Sequence, residues 1–396
     1  MKMRSFKNSA AQGKVPFWLD TKKRAILFQL ITLALVGLLA YYLISNTLIN
    51  LQKQKIATGF GFLHKEASFE IGESLISYSA ANTYAHALLV GALNTVKVAF
   101  IGIVLTIILG TIIGMARLST NWLLAKLATV YVEFMQGIPI LLQLFFWYAI
   151  FYETLPPPRE AISPGAGIFL SNRGVAFTIP EGHPAHLYML LAFLLGCAIA
   201  YGIRCWARKR QENTGRLFPT FRVGLAIAFG FPLITWAAFG APIKMNVPKL
   251  AGFNFEGGMM VSPEFIALLT GLVLYTAAYV AEVVRAGIQS VSKGQKEAAM
   301  AIGLRPVFVL NLVVLPQALR VIIPPLTSQM LNLTKNSSLA VAIGYPDFVS
   351  VANTTMNQTG QSIEGVALIM AVYLFFSLST SAFMNWYNRR VALVER

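Results

Sequence analysis

The chain predicts an all-α protein that crosses a membrane repeatedly, on three observations. Of its 396 residues, 56% are hydrophobic and only 12% are charged, about half the charged share of an ordinary soluble domain. Its mean hydropathy is +0.63. The apolar residues gather into runs near 25–45, 88–116, 137–153, 186–205, 221–240, 264–287, 322–345 and 364–388. About 20 apolar residues cross the roughly 30 Å hydrocarbon core. Lipid offers backbone polar groups no partner, so each of these eight runs is expected to be a helix.

The basic residues orient the spans, because they concentrate on the cytoplasmic side. Segment 1–24 carries Lys2, Arg4, Lys7, Lys14, Lys22, Lys23 and Arg24 and is read as cytoplasmic. No small-residue cleavage site follows a short apolar region, so the first span is expected to stay attached. It opens the region 25–87, a span plus an outer loop. The next cytoplasmic groups are Arg117 and Lys126, then Arg204, Arg208, Lys209, Arg210, Arg216 and Arg222. Arg285, Lys293, Lys296, Arg305 and Arg320 follow, and Arg389, Arg390 and Arg396 close the chain. The outer loops hold only Lys53, Lys55, Lys65, Arg159, Arg173, Lys244 and Lys249, while Lys97 and Lys335 fall inside spans. Both termini are therefore expected to be cytoplasmic. Topology and anionic lipid headgroups account for the net charge of +16, so no nucleic-acid partner is called for.

No catalytic constellation stands out. The chain has no G-x-x-x-x-G-K-[ST] phosphate loop, no H-E-x-x-H and no G-x-S-x-G. His183 and His186 share an i,i+3 spacing without further ligands, so no metal site is expected. Cys197 and Cys205 lie about 12 Å apart by helical rise, too far for a mutual disulfide. Uphill transport by such a chain must draw on an ion gradient or on a partner.

Segment 288–321 interrupts the lipid pattern. A helix is expected from about Ser292 to Ile302, ended by Gly303 and Pro306, with a second arm returning the chain to the membrane. Ala298, Ala299 and Gly303 have almost no side chain, so a second surface can approach, while Lys293, Lys296, Glu297 and Arg305 place charge at the rim. Two readings fit: a solvated connector, or a short helix laid in a partner's groove.

The spacing Glu297-Ala298-Ala299, three residues, Gly303, nine residues, Val313, one residue, Leu315-Pro316 resembles the EAA loop of ABC-importer permeases, with Val313 where Ile is usual. Ala278 through Gly287, Gly294-Gln295, Gln317 through Arg320 and Lys335 through Leu339 are similar to the polar amino-acid branch of that family. So are Asn94-Thr95-Val96 and the stretch from Tyr131-Val132-Glu133 through Gly137-Ile138-Pro139 to Gln143. The resemblance covers roughly 88–153 and 260–390 and most resembles the larger permeases of general L-amino-acid importers. It implies a five-span core in two parts, 88–153 and 263–390. The extra first span stands before it, and region 154–262 holds outer loops and an inserted helical hairpin between the parts.

The resemblance also implies partners: a cytosolic ABC ATPase dimer that binds ATP and Mg, a second homologous permease forming a heterodimer, and a periplasmic binding protein that delivers an L-amino acid. This chain would bind no cofactor of its own. Lys296, Glu297, Ala298, Ala299, Ile302 and Gly303 would transmit force from the ATPase, and the protein would sit in a bacterial inner membrane. One departure is Gln136, where the family usually has Arg.

Polar groups inside spans are costly and usually face a cavity or a partner. Lys335, beside Thr334 and Ser338, can meet a substrate carboxylate or can snorkel. Glu282, one turn after Tyr279, can meet an α-ammonium or pair with Arg285. Asn94, Thr95 and Gln143 are further substrate candidates. Pro139 and the pair Pro324-Pro325 are expected to break helices, while Gly110 and Gly114 read as a close-packing stripe. The outer loops at 46–84, 154–185 and 241–262 exceed what the core needs, as a docking surface or as plain elaboration. The rival function is an ion-coupled secondary transporter or channel, which should show inverted repeats. None is visible.

Overall fold

A computed structural model describes residue 18 and residues 21–54, 58–165, 167–215 and 218–391. Most of segment 1–24 and the basic residues Lys55, Arg216 and Arg396 lie outside the described residues, as do the side chains of Arg389 and Arg390.

In chain order the helices are α1 (Thr21–Lys53), α2 (Tyr84–Ala116), α3 (Trp122–Gly137), α4 (Ile140–Ala149), α5 (Pro184–Thr214), α6 (Thr220–Ala238), α7 (Pro263–Gln289), α8 (Lys293–Ala301), α9 (Pro306–Phe308), α10 (Leu315–Asn336), α11 (Phe348–Thr359) and α12 (Ser362–Val391). Seven helical stretches among the described residues are long and apolar enough to cross a membrane, and the bent pair Trp122–Gly137 with Ile140–Thr154 would make an eighth. The eight expected runs are all found in them.

The core is built around α7, which packs on α2, α3, α4 and α10. The face it turns to α2 carries Ala277, Ala278, Val280, Ala281 and Val284, all buried. Small residues let the two backbones close, which in lipid substitutes for the missing hydrophobic drive between helices. A Cβ on Gly110 would stand 2.6 Å from Val280 Cβ and 3.0 Å from the Ala277 carbonyl oxygen. The stripe of Gly110 and Gly114 therefore serves packing, as its spacing indicates.

Three elements differ from expectation. The third span starts earlier than residue 137: segment 117–136, read as cytoplasmic, is mostly helix α3, which meets α4 at 103° across Gly137-Ile138-Pro139. Pro139 has no N–H, so the Met135 carbonyl loses its helical partner and the helix stops. The second arm of segment 288–321 is no separate hairpin arm. Through α9, a π-helical stretch Val309–Val314 and α10 it runs continuously into the seventh span, Pro306–Ile343. Within it, α10 passes through Pro324 and Pro325 without a break. Proline φ is compatible with a helix, and only two hydrogen bonds are lost.

The membrane region is helical as expected, and the outer loops add short strands. These are β1 (Ile162–Gly165), β2 (Ile168–Ser171), β3 (Gly174–Phe177), β4 (Ile179–Pro180), β5 (Met245–Asn246), β6 (Lys249–Ala251), β7 (Asn254–Glu256) and β8 (Met259–Val261). The order β1-β2-β3-β8 forms one antiparallel sheet, and β4-β5 and β6-β7 form pairs. Pairing β3 with β8 and β4 with β5 zips the two ends of the inserted segment into a stalk, from which α5 and α6 leave as a helical hairpin. The sheet marks one end of the bundle, and α8 lies at the other.

Segment 58–83 straps across the sheet end. Glu364 Oε1 accepts from Gly59 N–H at 2.6 Å, Gln361 Nε2 donates to the Gly59 carbonyl at 2.9 Å, and Tyr84 Oη donates to Gln358 Oε1 at 2.9 Å. Lys97, flagged as a costly charge inside a span, forms an ion pair with Glu73 of this strap and lies 4.2 Å from the Phe265 ring centroid. Ser262 Oγ donates to the other oxygen of Glu73 at 2.6 Å.

Between the seventh span and α11, Asp347 caps α11 by accepting from Ser350 N–H at 2.8 Å. Its other oxygen accepts from Tyr373 Oη at 3.2 Å. Burial raises its pKa to about 7, against the pull of these hydrogen bonds. The sign follows from linkage: the folded chain keeps a proton that the unfolded chain releases near pH 4, so this group's contribution to stability falls as pH climbs from about 4 to about 7. Asparagine caps as well as aspartate. The Asp347→Asn variant is therefore expected to gain at least about 1 kcal/mol on the wild type between pH 5 and pH 8, read as a difference in melting temperature in detergent. Parallel melting curves at both pH values would refute it.

Candidate functional site

Two groups of residues carry the functional expectations, one at the α8 end and one inside the spans. At the α8 end the short helix is finished by a Schellman turn. Gly303 N–H donates to the Met300 carbonyl at 2.9 Å and Leu304 N–H to the Ala299 carbonyl at 3.3 Å. Gly303 holds φ +86, a conformation that costs other residues about 1–2 kcal/mol. Leu304 closes the motif by packing with Ala299 against Val309 and Val314.

This packing corrects one expectation. Ala299 was assigned to the surface a partner approaches, yet it is 5% exposed and faces the chain's own span. Its small size lets α8 lie flat on the start of that span. Glu297, Ala298 and Gly303 do face outward, and Lys296 is half-buried. Ile302 is 78% exposed and Met300 51%, while Val307 and Phe308, at 65% and 50%, already belong to the seventh span. An apolar knob around a tight turn, outside the lipid pattern, is what a partner's groove accepts. Met300 joins the expected residues on this exposed surface.

Inside the spans, several candidates prove to be tied into the fold. Gln143 Nε2 donates to the Met135 carbonyl at 2.9 Å and to the Ile138 carbonyl at 3.0 Å, replacing the donor that Pro139 lacks. Asn94 Nδ2 donates to the Glu73 carbonyl at 2.8 Å and the Pro346 carbonyl at 2.9 Å, joining the strap to the chain after the seventh span. Thr95 Oγ1 donates to the Gly91 carbonyl and accepts from Phe348 N–H, both at 3.0 Å, so it satisfies an open N–H at the start of α11. All three are buried. Burial demands such partners; the chain supplies them for both amide nitrogens and for Thr95, while Asn94 Oδ1 and Gln143 Oε1 are buried without a partner among the described residues.

Glu282 pairs with both Arg117 and Arg285, and Arg285 also donates to Gln289 Oε1 at 2.7 Å. The pairing with Arg285 was one of the two readings; Arg117, from the end of α2, was not foreseen. The network locks α2 to α7 near the α8 end. Gln136 Nε2 reaches the Ala278 carbonyl at 3.4 Å, so the residue at the usual Arg position is spent on helix packing.

Of the remaining candidates, Thr334 is buried and the others keep accessible groups. Tyr279 Oη and Tyr275 Oη are 3.0 Å apart on half-buried rings. Lys335 is exposed along α10. Ser338 Oγ donates to the Lys335 carbonyl at 2.7 Å, and the buried Thr334 Oγ1 to the Met330 carbonyl at 3.0 Å. His183, weighed as a ligand, caps α5 by accepting from Ala185 N–H at 3.1 Å. At the sheet end a cavity of about 820 Å³ opens between the strap, the sheet and α11, lined among others by Glu70, Arg173, Asn254, Glu264 and Ser350.

Residues 102–393 match the family of the binding-protein-dependent transport system inner membrane component. The chain belongs to this family. Its helices are those of a membrane-spanning transport permease, a transport component and not a catalyst. The general L-amino acid transport system permease protein AapQ of Rhizobium johnstonii is 49% identical over 377 residues, 95% of this chain and 94% of that one. The putative amino-acid ABC transporter permease protein YhdX of Escherichia coli is 46% identical over 393 residues, 99% of this chain and 100% of that one. The glutamate/glutamine/aspartate/asparagine transport system permease protein BztB of Rhodobacter capsulatus is 40% identical over 409 residues, 95% and 96% of the two. The match runs along nearly the whole length of these permeases, so the extra first span and the inserted hairpin fall within the shared region.

Proposed function

We propose that this chain is a permease subunit of an ATP-driven ABC importer that carries L-amino acids across a bacterial inner membrane, with both termini cytoplasmic. The observation that carries it is α8: a short helix outside the membrane-spanning stretches, ended by the Gly303 turn and carrying the exposed Ile302 and Met300. A paired ATPase that binds ATP and Mg would grip this knob. Its closure would push the knobs of two permeases together and exchange an inward-facing for an outward-facing cavity, an alternating-access cycle. The second permease is a homologous, different chain. A periplasmic binding protein delivers the solute to the sheet end, where the strap and sheet frame the open cavity. The names of the similar permeases support amino acids as the cargo.

The solute path follows the accessible polar groups, Lys335 for a carboxylate and Tyr279 for hydrogen bonding. The complex co-expressed with its genomic neighbours and placed in liposomes is expected to hydrolyse ATP faster when amino acid is present. Lys335→Met is expected to raise the KM for uptake roughly tenfold, the loss of one charge-assisted hydrogen bond, while basal hydrolysis is kept. An unchanged KM would remove Lys335 from the path. Uptake that continues without the ATPase, driven by an ion gradient, would overturn the importer reading in favour of a secondary transporter.

A further inference from the structure

The inserted hairpin has an unequal pair of helices. Tyr188 stacks on Phe239 at 5.2 Å, Phe193 meets Phe229 at 5.8 Å, and Trp206 meets Phe218 at 5.6 Å. A Cβ on Gly196 would touch the Ile227 carbonyl at 3.0 Å, and one on Gly224 the Ala200 Cβ at 3.6 Å. These contacts define one antiparallel register along the whole pair, and it brings Thr220, the first residue of α6, level with Arg204.

Lengths then place the ends. The 19 residues of α6 rise about 28 Å, one hydrocarbon thickness, and the 31 residues of α5 rise about 46 Å. The last ten residues of α5 therefore project about 15 Å beyond the end of α6. Because α5 and α7 both leave the sheet, this overhang emerges at the α8 end.

Its chemistry is uniform. Arg204, Arg208 and Lys209 are exposed, with Arg222 beside them on α6, and the guanidinium of Arg210 lies 5.2 Å from the Trp206 ring centroid. Glu212 is the lone acid of the overhang and is paired with Arg208 at 3.4 Å. Trp206, 52% exposed, holds the level of an interfacial aromatic. Cations ringing a tryptophan at the height where a helix leaves the hydrocarbon match a layer of phosphate groups.

We propose that the overhang of α5, with Arg204, Lys209, Arg210 and Arg222 around Trp206, is a binding site for anionic phospholipid headgroups. It rests on the reading that the hairpin spans the membrane. It sets the depth of a hairpin that otherwise reaches the bundle through its β-stalk, and it makes the lipid environment of this chain selective for negative charge.

The test uses the intact complex carrying Cys197→Ser, with a fluorophore on the exposed Cys205, in vesicles containing doxyl-labelled phosphatidylglycerol or phosphatidylcholine. Phosphatidylglycerol is expected to quench at a mole fraction roughly tenfold lower, because basic side chains near the surface favour an anionic headgroup. The preference is expected to vanish in the Arg204→Gln, Lys209→Gln, Arg210→Gln variant and to persist when the two arginines become lysine, a pair of variants that separates charge from folding. Equal quenching by the two lipids in the unsubstituted cluster would overturn the proposal. So would displacement by inorganic phosphate at constant ionic strength, which would point to a soluble anion. Loss of the ATPase subunit from the glutamine variant with the lipid preference intact would instead assign the overhang to a protein partner. Hydrolysis coupled to solute is read on the same samples, so a failure of the importer reading is seen separately.

Discussion

Gly110→Leu is expected to lower the amount of folded protein in the membrane roughly tenfold, with Gly114→Leu close behind. At Gly110 a Cβ alone would sit 2.6 Å from Val280 Cβ and 3.0 Å from a backbone carbonyl; at Gly114 it would sit 2.8 Å from the Ala281 carbonyl and 2.9 Å from Val284 Cβ. Those neighbours belong to α7, the central helix, and backbone cannot rotate aside as a long side chain can. Overpacking costs about 1–3 kcal/mol even for small additions, and a leucine forces α2 away from α7 along their length. Separation would also pull Arg117 from Glu282 and leave a guanidinium buried without its carboxylate, a further penalty of about 1–3 kcal/mol. Gly37→Leu is the control: among the described residues nothing outside its own stretch of helix lies within 4 Å of its Cβ position, so near-normal levels are expected. Fluorescence-detected size exclusion reads the outcome. A monodisperse Gly110→Leu protein with a wild-type melting temperature would show that the α2–α7 approach is looser than described.

Gly303→Arg is expected to leave the chain folded and to cut solute-coupled ATP hydrolysis roughly tenfold, about 1.4 kcal/mol of lost coupling. Two causes would act together. Non-glycine residues resist φ +86, which loosens the Schellman turn and lets Ile302 and Met300 drift. A long cation would also stand in the space a partner must enter. Gly303→Asn separates them, because asparagine tolerates the left-handed region. Among the described residues nothing beyond the chain neighbours lies within 4 Å of the Gly303 Cβ position, so a defect in the asparagine variant points to contact with another chain. Coupled hydrolysis is measured beside complex assembly on affinity resin. Unchanged coupling in the arginine variant would break the link between α8 and the ATPase.

Both predictions turn on glycines whose chemistry is identical in the sequence. Spacing identified Gly303 through its distance to Leu315-Pro316 and identified Gly110 with Gly114 as a stripe. Whether each serves the chain's own packing or leaves room for something else required the neighbours to be seen. Ala299 shows the same limit. It stands in the motif beside Ala298, but helical rotation turns the first into the span and the second to the outside.

The intramembrane polar residues were the least legible. Gln143 reads as a solute contact until Pro139, four residues earlier, is seen to leave the Met135 carbonyl open. That relation was available from helix geometry alone, since residue 139 would otherwise have donated to residue 135. Asn94 could not have been read so, because its partners are carbonyls at Glu73 and Pro346. Lys97 likewise finds its counter-charge in an outer loop that the sequence left open between docking surface and plain elaboration.

The sequence by itself determined the membrane class, the spans, the family likeness and the short helix that interrupts the lipid pattern. Hydropathy and motif spacing are written along the chain within a few turns, where covalent connection guarantees proximity. Only the tertiary structure decided which polar groups are sealed and which face open space. Thr95 bonds to Phe348, and Arg117 pairs with Glu282. Such pairs are brought together by the packing of α2, α7 and the strap, and the energetic pressure to satisfy buried polar groups says that a partner must exist without saying where it stands in the chain.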